Sequence, residues 1–169
     1  MPESPAQGKM GSSITRILFV CHGNICRSPM AEYVLKELVR EKGMEDVFQI
    51  DSAATSCEEL GNPLYPPAQR VLQAHGIPFG KRRARRFRKE EYSFWDLIVC
   101  MDRNNVRNLS FIAPDPEEKV RLLMDFAGEE GREVADPWWT GNFDATWEDV
   151  LAGCRGLLDF LLKEGSGKE

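Results

Sequence analysis

Much that would point to a familiar site is missing from this chain. Its 169 residues include only two histidines, and the five cysteines at 21, 26, 57, 100 and 154 contain no C-x-x-C pair. That spacing argues against a zinc site, and an odd, scattered set of thiols argues against the disulfide framework of a secreted protein. A reducing cytoplasm is the expected compartment. No apolar run approaches the roughly 20 residues that a membrane span requires. The opening "MPESPAQGKMGSS" lacks the apolar core of a secretory signal. Residues 1–13 and the closing "GSGKE" (165–169) read as polar tails flanking one domain over residues 14–164. Composition is otherwise that of a globular protein, 42% apolar and 29% charged, with enough chain for a real core.

Positive charge is scarce overall, with a net of −5, yet it is concentrated in one place. The stretch "KRRARRFRK" (81–89) holds seven basic residues and no acid. Such a run can touch nucleic acid or a phosphoprotein. The preferred reading is a solvated loop-and-strand face on an acidic protein, so no nucleic-acid or membrane partner is expected and the chain is expected to be a monomer.

Apolar periodicity gives alternating strands and helices. "RILFVC" (16–21) is a short β-branched and aromatic run of the kind buried on both faces of a sheet. From Ser28 onward Met30, Ala31, Val34, Leu35, Leu38 and Val39 form a helical stripe, with Pro29 in the first turn. Further strands are expected at 47–51, 95–102 and 119–124, and further helices over 62–76, from about Asp102, and over 146–163. Gly76 should close the second helix in the left-handed conformation. This order implies an α/β fold: a single domain with a four-stranded, twisted parallel sheet, helices on both faces and a phosphate-binding loop after the first strand.

The loop carries the chemistry. Ligands of such sheets bind at the carboxyl ends of the strands, where "CHGNICRS" (21–28) joins the first strand to its helix. A curl there turns backbone N–H groups inward, and the helix N-terminus adds positive potential. A cysteine at its base, Cys21, is expected to be a thiolate and a nucleophile. Arg27 can place a bidentate fork on two oxygens of a tetrahedral oxyanion. Gly23 permits backbone conformations closed to other residues. Asn24 tolerates left-handed dihedrals and can pin the loop, and the Ser28 hydroxyl can donate to the sulfur. These parts together describe covalent attack on a phosphoryl group. C-x5-R alone is weak, but a strand before, Gly and Asn within, and Ser and a helix after make it specific.

The segment "VCHGNICRSPMAE" resembles the signature of the low-molecular-weight protein tyrosine phosphatases, and the resemblance continues through "DSAATS", "GNPLYPPA", "HGI", "CMDRNN" and "DPWW", from about residue 15 to 163. It implies hydrolysis of protein phosphotyrosine and small aryl phosphates through a phosphocysteine, without metal or other cofactor, with inorganic phosphate or similar oxyanions binding the loop. Cys21 then matches the nucleophile and Arg27 the phosphate-binding arginine. Asn24 and Ser28 match supporting loop residues, and Asp136 in "ADPWW" matches the general acid. An acid is chemically needed there: the leaving oxygen takes a proton as the P–O bond breaks, and the carboxylate can then activate water. Resemblance also places His75 in a network behind the loop. His22, Ile25 and Cys26 line the loop, His22 without a chemical role, and Trp138 and Trp139 form an aromatic rim.

Three departures from related patterns bear on the substrate. Glu58 stands where members acting on aromatic phosphates commonly carry Trp or Tyr, so one wall of the slot is acidic and Trp138 takes more of the stacking. The related arsenate reductases need a further pair of cysteines, and Ser93 and Arg107 occupy the positions seven residues either side of Cys100. Phosphoarginine phosphatases carry threonine where Ile25 stands, which favours tyrosine, although an acidic Glu58 wall would suit a guanidinium. Phosphoarginine hydrolysis is thus the alternative, ahead of a non-catalytic phosphate-binding module. Finally, Cys26 lies in the same tight curl as Cys21. It is either a small apolar filler or a partner that captures an oxidised Cys21 as a disulfide.

Overall fold

A computed structural model describes residues 13–167. Residues 1–12 and 168–169, assigned above to the tails, lie outside the described residues. Four parallel strands form one sheet: β1 (Thr15–Cys21), β2 (Phe48–Ala54), β3 (Leu97–Cys100) and β4 (Val120–Leu122), in the order β2-β1-β3-β4. Around them lie α1 (Arg27–Glu41), α2 (Pro66–Ala74), α3 (Arg103–Ile112), a single helical turn α4 (Pro137–Thr140) and the long α5 (Phe143–Gly167). The expected α/β architecture is the one observed.

The run in β1 is buried from Ile17 to Val20 because the strand feeds two cores at once. Side chains alternate across a strand. Ile17 and Phe19 join α1 and α5 through Met30, Val34, Leu35, Val150, Cys154 and Leu157. Leu18 and Val20 face the other way, onto Phe87, Trp95, Ile98 and Leu109. The chain leaves β1 toward β2 on one side and later returns to place β3 on the other. The carboxyl end of β1 therefore opens at the point where strand order reverses, which is where a ligand cleft forms.

Several element bounds differ from the periodicity, each for a local reason. The second helix begins at Pro66, not 62, because the residue before a proline is driven to extended backbone, and Tyr65 has φ −60° and ψ 133°. Gly76 has the expected positive φ of 70°. The second strand runs three residues past 51, since Ala53 and Ala54 pair with Val20 and Cys21. The third shortens to Leu97–Cys100 because Asp102 leaves the strand to cap α3. The fourth ends at Leu122, where Leu123–Ala127 tightens into a 3-10 turn packed beneath α5.

Close approach at that contact depends on glycine. A Cβ on Gly156 would lie 1.8 Å from the carbonyl oxygen of Phe126, a backbone atom that cannot swing aside. Gly156→Ala should therefore cost about 1–3 kcal/mol through overpacking, lowering the thermal midpoint by several degrees. Thermal unfolding followed by circular dichroism checks this; an unchanged midpoint would mean that α5 can back away freely.

The basic run is solvated in part: Lys81, Arg83, Arg86, Arg88 and Lys89 are exposed, whereas Arg82 and Arg85 are half-buried. Ala84 and Phe87 are buried, and several of the arginines bind neighbouring segments. Arg85 pairs with Asp51 at 3.2 Å and Glu91 at 2.9 Å, Arg83 donates to the Gly61 carbonyl, and Arg86 donates to the carbonyl of Thr55. Arg82 reaches the back of the Cys21 loop. Composition alone does not distinguish the exposed members of the run from Arg82 and Arg85, which pack partly inward.

Candidate active site

Between Cys21 and Arg27 the loop's carbonyls turn outward onto neighbouring segments. Those of Cys21 and His22 accept from the amides of Thr55 (3.0 Å) and Ser56 (3.1 Å), and that of Ile25 accepts from Tyr65 (2.9 Å). The Asn24 carbonyl accepts from Arg82 at 2.9 Å. With the carbonyls engaged outside, the N–H edges of the loop face the concavity, which makes a nest for an anion. Asn24 makes the curl possible by holding φ at 62°, and its amide donates to Cys21 Sγ at 3.3 Å. Ser28 Oγ lies 3.0 Å from the same sulfur. Cys21 is buried at the base of the cup.

Arg27 is almost fully buried, and its position is set by three partners from distant parts of the chain. Nη1 donates to Asp102 Oδ2 at 2.8 Å and to the Val134 carbonyl at 2.7 Å, while Nη2 makes a longer contact of 3.5 Å with Asp136 Oδ2. Burial opposes its charge, but Cys21, Asp102 and Asp136 outweigh that penalty and hold the guanidinium above its ordinary range. Asp102 serves two elements: Oδ1 accepts from Asn105 N to cap α3, and Oδ2 holds Arg27. Buried Asn105 returns the favour by accepting from the amides of Met101 and Asp102.

Asp136 reaches the cup because the segment before it is clamped. Val134 donates its amide to the Met101 carbonyl at 2.9 Å, at the end of β3. Asp136 then caps α4, with Oδ1 accepting from Trp138 N at 3.0 Å, and Pro137 takes the first helical position. The cap fixes one carboxylate oxygen and leaves the other toward the cup. Trp138 and Trp139 stand at the mouth, half or more exposed, and Trp138 packs on Tyr65 with ring centroids 5.2 Å apart.

These groups enclose a cavity of about 380 Å³, lined by Cys21, His22, Gly23, Asn24, Ile25, Cys26, Arg27, Glu58, Asp136, Trp138 and Trp139. Ser28, expected to bind substrate as well as support the loop, is outside this lining and fully buried against Cys21. Glu58 pairs with His22 at 3.1 Å on the rim. Glu59, which sequence reasoning passed over, also lines the cavity, so the acidic wall carries two carboxylates. Cys26 packs with Ile25 and Ala84, and burial pushes its thiol well above the ordinary range, with Cys21 and Asp136 adding to the effect.

His75 stands apart from this network. It is exposed at the end of α2 and stacks on Trp147, with ring centroids 4.0 Å apart. Behind the loop, in its stead, are Ser52 and Arg82: Asn24 Nδ2 donates to Ser52 Oγ at 2.9 Å, and Ser52 donates to buried Glu32 at 2.6 Å. Asp102 and Arg82 were not singled out from the sequence. The one available signal was for Asp102, an acid at the end of the strand adjoining β1.

The family model described as low molecular weight phosphotyrosine protein phosphatase matches residues 16–167. The low molecular weight protein-tyrosine-phosphatase PtpA of Staphylococcus aureus (strain bovine RF122 / ET3-1) is 36% identical over 153 residues, covering 90% of this chain and 97% of that protein. The crystal structure of YfkJ from Bacillus subtilis superposes with a TM-score of 0.86 at 35% identity, over 90% of this chain and 97% of that one. The Drosophila arginine phosphatase DARP superposes with a TM-score of 0.78 at 28% identity, over 86% and 96% of the two chains. Among the described residues no helix is long and apolar enough to cross a membrane.

Proposed function

The chain belongs to the low molecular weight phosphotyrosine protein phosphatase family and is a phosphatase that hydrolyses protein phosphotyrosine; we propose that it does so through a phosphocysteine on Cys21. The observation that carries this reading is the convergence of Ser28 Oγ and the Asn24 amide on Cys21 Sγ, beside a buried Arg27. The Cys21 thiolate attacks phosphorus while the P–O bond to the tyrosyl oxygen breaks. Asp136 protonates that oxygen, so the phenol departs neutral. The Asp136 carboxylate then takes a proton from water, which attacks phosphorus and releases inorganic phosphate and the thiolate. Ser28 donates to the departing sulfur. Arg27, with Nη1 held by Asp102 and Val134, offers its remaining edge to the equatorial oxygens together with the loop amides, a charge arrangement that needs no metal. We further propose that inorganic oxyanions occupy the loop and that the chain works as a cytoplasmic monomer, a setting compatible with its five free cysteines.

Turnover of phosphotyrosine, phosphoserine and phosphoarginine side by side tests the substrate. The reading expects phosphotyrosine to be fastest. Faster phosphoarginine would favour the alternative, which Glu58 and Glu59 on the rim support, as does the similarity to DARP.

Glu58 should also repel peptides with acids beside the phosphotyrosine. E58W should lower KM for aromatic phosphates about 2- to 10-fold by adding a stacking wall, with kcat nearly intact. Steady-state kinetics decide, and an unchanged KM would place residue 58 outside the substrate's reach.

For Cys26 we propose a protective role. Peroxide oxidises the Cys21 thiolate to a sulfenic acid, and the Cys26 thiol displaces water from it to give a disulfide. Burial of Cys26 disfavours its thiolate, which slows this step, although both sulfur-bearing residues line the same cavity. Peroxide followed by dithiothreitol should restore most activity in the parent and much less in C26S. Equal recovery in both would leave Cys26 as packing alone.

A further inference from the structure

Asn24 is fully buried, and every polar atom of it is engaged. Its Nδ2 donates to Ser28 Oγ and to Ser52 Oγ, both at 2.9 Å. Its Oδ1 accepts from the Arg85 amide at 3.2 Å and from Arg82 Nη2, and its carbonyl accepts from Arg82 Nη1 at 2.9 Å. A guanidinium and a backbone N–H only donate. The amide atom that faces them must therefore be oxygen, and the NH₂ must face the two hydroxyls. Both NH₂ hydrogens are then used, one on each serine. Ser52 passes its own hydrogen to Glu32 Oε1. Ser28, already accepting from Asn24, has Cys21 Sγ at 3.0 Å for its hydrogen. Direction is thus imposed from the outside inward, from guanidinium to carboxamide to hydroxyl to sulfur.

We propose that Arg82 is a positioning residue for the Cys21 nucleophile: its two-pronged grip on Asn24 fixes the left-handed loop and the sense of the hydrogen-bond relay, so that Ser28 donates to the sulfur and favours the thiolate. This rests on the reading of Cys21 as nucleophile. One arginine of the basic run thereby gains a role in the reaction without touching substrate. Lysine would keep the charge but not the planar fork.

The test measures iodoacetamide alkylation of Cys21 against pH, beside kcat and KM, in the full chain. Loss of a hydrogen bond to a charged acceptor should move the alkylation midpoint of Arg82→Ala upward by about one pH unit. Its kcat should fall roughly tenfold or more at neutral pH, with KM changed less. R82K should show most of the same shift, and it serves alone if the alanine variant does not fold. R83A, which loses only the contact to Gly61, should match the parent. In an S28A background, removing Arg82 should move the midpoint no further, because the relay is already cut. A parent-like midpoint in both Arg82 variants, or an equal shift with and without Ser28, would overturn the proposal. Failure of the underlying reading looks different, since C21S would then retain turnover whatever Arg82 does.

Discussion

C21S should lose aryl phosphate turnover by on the order of 10⁴- to 10⁶-fold in kcat, the scale seen when a covalent nucleophile is removed. Serine keeps the size and the hydrogen-bonding pattern of the loop, so the fold and the anion nest should survive. What it lacks is sulfur: a hydroxyl forms its anion far less readily than a thiol and is a much poorer nucleophile toward phosphorus. Phosphate, vanadate or sulfate should therefore inhibit the parent competitively and still protect C21S against thermal unfolding. EDTA should leave the parent's rate unchanged, because Arg27 and the loop amides carry the transition-state charge. Substantial turnover by C21S would remove Cys21 from the chemistry, and abolition by EDTA would require a different account of the charge.

For Asp136 the size of the effect should depend on the leaving group. D136N keeps an oxygen able to accept from Trp138 N, and asparagine caps a helix as well as aspartate does. Local geometry should thus persist while the proton is lost. General acid catalysis contributes about 10²- to 10⁴-fold, so phenyl phosphate should slow by at least 10²-fold. A nitrophenyl ester, whose leaving oxygen needs little protonation, should slow far less. Equal slowing of both would mean that Asp136 acts as a cap or a charge and donates no proton.

What the sequence revealed follows from how local each feature is. Strand, curl, Asn24, Arg27, Ser28 and α1 occupy one short stretch, so nucleophile, cradle and helix N-terminus could be read together. The two-sided burial of β1 was equally plain from its apolar run. Asp136 lies 109 residues from Arg27 and was identified through family resemblance plus the chemical need for an acid. Asp102 was signalled only by its place at a strand end and the Val134 carbonyl not at all, because their contact with Arg27 arises only when the ends of β1 and β3 come together. Arg82 was hidden by its neighbours: a run of like charges looks solvated until the structure shows which side chains point inward. His75 went the other way. A histidine at the end of α2 can face the loop or the last helix, and the packing of Trp147 against it decides for the helix.

The central claim is a phosphoryl group carried on Cys21. Rapid acid quench of the enzyme during turnover of an aryl phosphate, followed by peptide mapping, tests it directly. The account predicts one phosphoryl group, found on the peptide that contains Cys21 and absent in C21S, with more of it in D136N on the nitrophenyl ester because water attack is then slow. Turnover with no phosphorylated peptide at any quench time, or with the label on another residue, would contradict it.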